Sequence, residues 1–131
     1  MPSSEGPGVE PELAMGDEPL DQSRLTMLQS SGGGTDLVAE LVELFVGDVP
    51  SRLDALAGAI ANGDTEALVR AAHSLKGSSA TMGAVGMSEL CRRLEMHGRA
   101  GDVASAAPVL ALLQEEFERA RSALHDWVAA L

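Results

Sequence analysis

From Asp21 onwards, apolar residues recur at spacings of three and four, the period of a helix with one buried face, and no alternating β-branched stretch interrupts them. A short segment from about Asp21 to Ser30 carries Leu25 and Leu28 and stops at Gly32-Gly33-Gly34. A long segment, with Thr35 or Asp36 as N-cap, sets Leu37, Leu41, Leu44, Phe45, Val49, Leu53, Leu56 and Ile60 on its expected core face and closes at Asn62-Gly63. Pro50 is expected to kink it or to divide it into two abutting helices. Asp64 caps a third segment, about Thr65 to Met82, whose seam is Leu68, Ala72, Leu75, Ser79 and Met82 and whose end is Gly83. A fourth, about Val85 to Arg99, turns Met87, Leu90, Cys91 and Leu94 inward before Gly98 and Gly101. The fifth follows Asp102 or Ser105 to the C-terminus through Val109, Leu112, Leu113, Phe117, Leu124 and Val128, with Pro108 expected in its first turn. Four main helices on loops of about 2–6 residues must run antiparallel to their neighbours. The pattern predicts an all-α fold: an antiparallel up-down four-helix bundle with a short additional N-terminal helix.

Residues 1–20 break the pattern. They hold four of the six prolines, five acids and no base, with apolar residues at no period, and are expected to be a disordered tail, leaving 21–131 as the bundle domain. The tail takes −5 of the net charge of −11. An acidic chain with two Phe, one Trp and no Tyr is a poor nucleic-acid reader. No apolar run approaches a membrane span, and the N-terminus has no basic-then-apolar signal segment. The single Cys fits a reducing compartment, so the expected location is cytoplasmic. Nothing in the sequence calls for a dimer, so a monomer is expected.

The chemistry gathers on the third helix. Turning 100° per residue from Leu68 puts His73 at about 140°, Lys76 at about 80°, Gly77 at about 180°, Ala80 at about 120° and Arg70 at about 200°. The imidazole thus stands off the apolar seam, beside a cation and a residue without a side chain. Lys76 is the chain's sole lysine and lies three residues from His73, within side-chain reach. A glycine at position 77 weakens the helix by about 1 kcal/mol relative to alanine, and close approach of another molecule is a reason to keep it. Residues 70–99 carry Arg70, Lys76, Arg92, Arg93 and Arg99 against Glu89 and Glu95, a net of +3 within an acidic chain. Imidazole is a nucleophile near neutral pH, and a cation beside it can offset the charge of an incoming phosphoryl group. The chain has neither GxxxxGK[ST] nor GxGxxG to hold a nucleotide, so the phosphoryl donor is expected from a partner.

His73-Ser74-Leu75-Lys76-Gly77-Ser78-Ser79, then Met82-Gly83-Ala84, Leu90-Cys91 and Leu94-Glu95, closely resemble the histidine-containing phosphotransfer (HPt) family, with similar flanks at Leu41 to Leu56 and Gly63-Asp64. The resemblance covers about 21–131. It implies a helical phosphohistidine carrier in two-component phosphorelays, without catalysis or a cofactor of its own. His73 would carry phosphate on Nε2, Lys76 would stabilise it and Gly77 would give access, with Ser78, Ser79 and Glu95 as further binding positions; Arg70 and Ala80 join these as candidate binding positions from their angles on the helix. At the place of Glu95 some members have an amide or a basic side chain. A carboxylate there could accept from Nδ1–H and would also repel phosphoryl oxygens. The implied partners are receiver domains of response regulators, which bring their own Mg2+, or a hybrid histidine kinase.

Plainer alternatives stand beside these. His73 could be an ordinary surface histidine, Lys76 a solvated charge and Gly77 a helix-packing contact, although its angle opposite the seam argues against packing. His97 and His125 read as structural or surface residues and Cys91 as core. No HxxxH or CxxC pair supports a metal site. The opening Met and the lack of a kinase domain favour a free-standing protein over the phosphoacceptor domain of a chemotaxis-type or hybrid kinase. An adaptor bundle that docks receivers without carrying phosphate is the remaining reading.

Overall fold

The computed structural model describes residues 18–131. The expected tail lies outside the described residues except for its last three positions, of which Leu20 is buried in the core. Five α-helices follow: α1 (Gln22–Leu28), α2 (Gly34–Ala61), α3 (Thr65–Thr81), α4 (Val85–Arg99) and α5 (Val103–Ala129), with a π-helical turn at Gln29–Gly33 between the first two. No strand occurs among the described residues, and none of these helices is long and apolar enough to cross a membrane. Consecutive main helices pack on each other, most closely α3 on α4, and α5 closes against α2.

The turns explain the antiparallel order. At the end of α3, Gly83 N–H donates to the Ala80 carbonyl (3.0 Å) and Ala84 N–H to the Ser79 carbonyl (2.8 Å), a Schellman stop. It needs the left-handed backbone at Gly83 (φ 74), and a side chain there would also strike the Asp21 carbonyl. The α2 and α4 ends repeat the arrangement, and there the second donor is an aspartate. Asp64 N–H reaches the Ala59 carbonyl at 2.9 Å and Asp102 N–H the His97 carbonyl at 2.9 Å. Each side chain then caps the next helix, Asp64 Oδ1 accepting from Ala67 N–H (3.0 Å) and Asp102 Oδ1 from Ser105 N–H (3.1 Å). One residue closes a helix and opens its neighbour, so the chain must reverse direction.

The seams of α3 and α4 are buried as expected, and burial pushes the Cys91 thiol up to about 12, which makes it an inert core residue. Elsewhere the inner face is rotated. In α2 the buried residues are Val38, Val42, Phe45, Val49, Leu56 and Ala59, while Leu37 and Leu44 are exposed; Leu41, Leu53 and Ile60 are half-buried. Apolar residues cover too wide an arc of α2 for one contact face, and packing selects the valine side. In α5 Leu110 is buried and Leu112 exposed. Pro50 does not divide α2, which is one helix of 28 residues held on either side by buried Val49 and Leu56. Pro108 sits in the second turn of α5, because the Asp102 cap starts that helix at Val103.

Among the described residues, two carboxylates, Glu95 and Glu116, are buried. Burial pushes Glu116 above the ordinary range against the pull of Arg119, whose guanidinium it accepts from at 3.0 Å. The Glu116 side chain fills the space over Gly86, where any Cβ would collide with it. Gly86→Ala should therefore destabilise the bundle by about 1–3 kcal/mol, and Glu116→Ala should relieve most of that loss. Denaturant unfolding of the two single variants and the double variant measures the coupling; additive losses would show that the two residues do not meet.

The histidine face of helix α3

Asp64 and the Gly83 stop fix α3 at both ends, and its seam of Leu68, Ala72, Leu75 and Ser79 fixes its rotation on the bundle. That rotation turns His73 outward, with its side chain 67% exposed. Ser88 Oγ, on α4, donates to the Lys76 carbonyl (3.3 Å), and Arg52, on α2, donates to Ser74 Oγ (2.6 Å), so both neighbouring helices tie down the same turn.

The centre of the site is Glu95, a carboxylate only 8% exposed and projecting from α4 beneath the imidazole. Lys76 Nζ donates to its Oε1 at 2.8 Å. Its Oε2 lies 3.1 Å from His73 Nδ1 and accepts from the Arg99 guanidinium at 2.8 Å. These donors, Lys76 foremost, then Arg99, then His73, outweigh the burial that opposes ionisation and hold the Glu95 carboxyl at about 2 against an ordinary 4.5. A carboxylate ionised over the whole physiological range is acceptor-only, so the Nδ1 it meets must carry the proton. The lone pair of the neutral ring is thereby placed on Nε2.

A carboxyl depressed on folding stabilises the native state fully above 4.5, and that contribution drains away as pH falls from there towards 2. The Glu95 side-chain carboxyl signal should titrate near 2 in a 13C NMR pH series. A midpoint at 4.5 would mean that the three donors do not hold it.

Gly77 is exposed, and a Cβ built on it meets nothing within 4 Å. Helix packing therefore does not account for this glycine, and the ring is open on that side. Arg70 is exposed one turn before His73, on the rim of a groove of about 470 Å³ that it lines with Val69, Gly98 and Arg99, among others. Ala80 is half-buried on the same side of the helix, and the Ser78 hydroxyl is occupied by the Ser74 carbonyl (3.0 Å). Ser79, expected among the binding positions, does not join the histidine face: it is fully buried, and its hydroxyl lies in the core. Its own angle, about 20° from Leu68, already put it on the seam. Arg99 joins the cluster without having been expected there from sequence, although its i+4 spacing from Glu95 on a helix is a readable signal.

The Hpt domain family matches residues 40–123. Among solved structures, histidine-containing phosphotransfer protein B from Pseudomonas aeruginosa is 32% identical, over 88% of this chain and 98% of that one, with a TM-score of 0.81. A histidine-containing phosphotransfer protein from maize is 25% identical over 92% and 97% of the two chains, with a TM-score of 0.73. The HPT domain of a sensor hybrid histidine kinase from Shewanella, 21% identical over 86% and 96%, shares the fold with a TM-score of 0.68. No curated protein matches the chain. With the match spanning most of the bundle, and with a solved phosphotransfer protein alike over nearly its whole length, the chain belongs to the Hpt domain family and is a phosphoryl carrier of phosphorelay signalling rather than a catalytic enzyme.

Proposed function

We propose that residues 21–131 form a cytoplasmic phosphotransfer unit in which His73 takes a phosphoryl group from the aspartyl phosphate of one receiver domain and passes it to the aspartate of another. The observation that carries this reading is the pairing of an exposed imidazole with a buried carboxylate at its Nδ1. With Nδ1–H donated to Glu95, the Nε2 lone pair attacks phosphorus, a P–N bond forms, and the acyl P–O bond breaks with its electron pair leaving on the receiver's carboxylate. The ring becomes a phosphoimidazolium whose positive charge faces Glu95. No proton has to move in either direction, which suits a carrier that must both load and unload.

Lys76, already beside the ring, is the cation best placed to meet the phosphoryl oxygens. The receiver would approach over Gly77 and the open side of α3, where Leu44 is exposed and an apolar groove of about 440 Å³ runs between α2 and the end of α3.

Incubation with a phosphorylated receiver domain tests this. Label should move onto the protein and be acid-labile and alkali-stable, as a phosphoramidate is. Docking without transfer of label would instead make the protein an adaptor, and label arriving only from a kinase would make it a kinase phosphoacceptor domain.

A further inference from the structure

We propose that the chain's own acidic segment ahead of the bundle, residues 9–17, docks along the outer face of α4 and screens the positive charge beside His73. The docking is independent of what His73 does; the screening rests on its reading as the acceptor. On α4, Val85, Arg92, Met96 and Arg99 fall within about 60° of arc and so form one stripe down the outside of the helix. Val85 is 40% exposed and Met96 53%, two large apolar side chains left in water on the same line. Arg92 stands between them, donating to Glu89 Oε1 (2.9 Å) and lying 2.8 Å from Met96 Sδ. An exposed ion pair within one helix holds an arginine weakly, so Arg92 can exchange Glu89 for another carboxylate.

Charge selects the occupant. Residues 70–99 carry a net of +3, whereas the rest of 21–131 carries −9, thirteen acids to four bases. A tethered segment rich in acid and without a base is attracted to the first region and repelled by the second. The point of attachment favours the same place. Leu20 is buried and Asp21 N–H donates to the Gly83 carbonyl at 2.6 Å, two residues before α4 begins, so the segment sets out from the Val85 end of the stripe. The stripe is about 21 Å long from Val85 to Arg99, and nine residues can span up to about 30 Å. Val9, Leu13 and Met15 alternate with Glu10, Glu12 and Asp17, apolar and acidic where the stripe is apolar and basic. The short tether keeps the effective concentration high, so weak contacts suffice. Carboxylates on this stripe lower the positive potential that would draw an acidic partner to His73.

A nitroxide attached to the full chain at Ala14→Cys reports where the segment lies, since the single native thiol, Cys91, is buried and inert. At low salt the amide signals of Val85, Arg92 and Met96 should lose at least about twofold in intensity against the reduced label, and recover in about 0.5 M salt, where the Debye length falls to about 4 Å. Strongest loss at Leu41, Leu44 and Thr81 would put the segment in the apolar groove of α2, and slight, uniform loss would leave it undocked; either overturns the proposal. So would loss on α4 caused by a separate spin-labelled chain, which makes the occupant a second copy. Glu10→Gln, Glu12→Gln and Asp17→Asn together should abolish the α4 effect and speed transfer from a phosphorylated receiver domain about threefold at low salt, with no difference at high salt. Equal rates at low salt would overturn the screening. A parent protein that takes no phosphoryl group would strike at His73 instead, and the placement of the segment on α4 would stand.

Discussion

Replacing His73 with glutamine should abolish phosphoryl acceptance from a receiver domain while leaving the melting temperature within about 2–4 °C of its original value. Glutamine is the informative choice because its amide N–H can still donate to Glu95, so the cluster of Lys76, Glu95 and Arg99 keeps its third donor. What it lacks is a nitrogen lone pair: an amide nitrogen is not a nucleophile at neutral pH. The side chain is mostly solvent-exposed, so little packing is lost. Loss of label with an unchanged melting curve and unchanged receiver docking places the chemistry on this ring. Label persisting on the variant at a substantial level would move the acceptor elsewhere, and His97 and His125 are the other imidazoles to examine.

His73 and Lys76 were legible because the amphipathic seam of α3 is narrow. Once five core positions are assigned, every other residue of that helix has a known direction, and the structure returns His73 on the outer side with Lys76 turned towards α4. Helix ends were legible for a similar reason, since a left-handed glycine at a Schellman stop and an aspartate side chain at an N-cap each have a specific physical cause. The α2 face was not, because Leu37, Leu41 and Leu44 make a second stripe beside Val38, Val42 and Phe45, and periodicity cannot rank two adjacent stripes. Only the third dimension does that, by which neighbour fills which side. Burial of Glu95 was equally out of reach. Hydropathy sends a glutamate to solvent, and the three donors that make its burial tolerable come from α3 and from one turn further along α4. The family resemblance puts it near the ring, whereas its place as the hub of three donor side chains is set by the packing of α3 on α4.

Enlarging Gly77 should separate stability from docking more sharply than any other change. The residue has ordinary helical geometry and open space around its would-be Cβ, so Gly77→Ala should stabilise the bundle by about 1 kcal/mol, the usual penalty for glycine inside a helix. A bulky side chain such as that of Gly77→Trp finds the same empty space in the isolated protein, and its melting temperature should not fall. It would stand one turn from His73 on the exposed face, in the path of anything as large as a receiver domain. Transfer from a phosphorylated receiver should drop at least tenfold, about 1.4 kcal/mol or more in the transfer barrier, while phosphorylation by phosphoramidate stays within about twofold, because a donor of a few atoms can pass the indole. That split between large and small donors is the signature of an access residue. Equal losses with both donors would mean that the substitution has disturbed the ring or Glu95, and an unimpaired receiver reaction would mean that the partner comes in over another side of α3. The glycine is then kept against its own cost to the helix by a molecule that is present only during transfer.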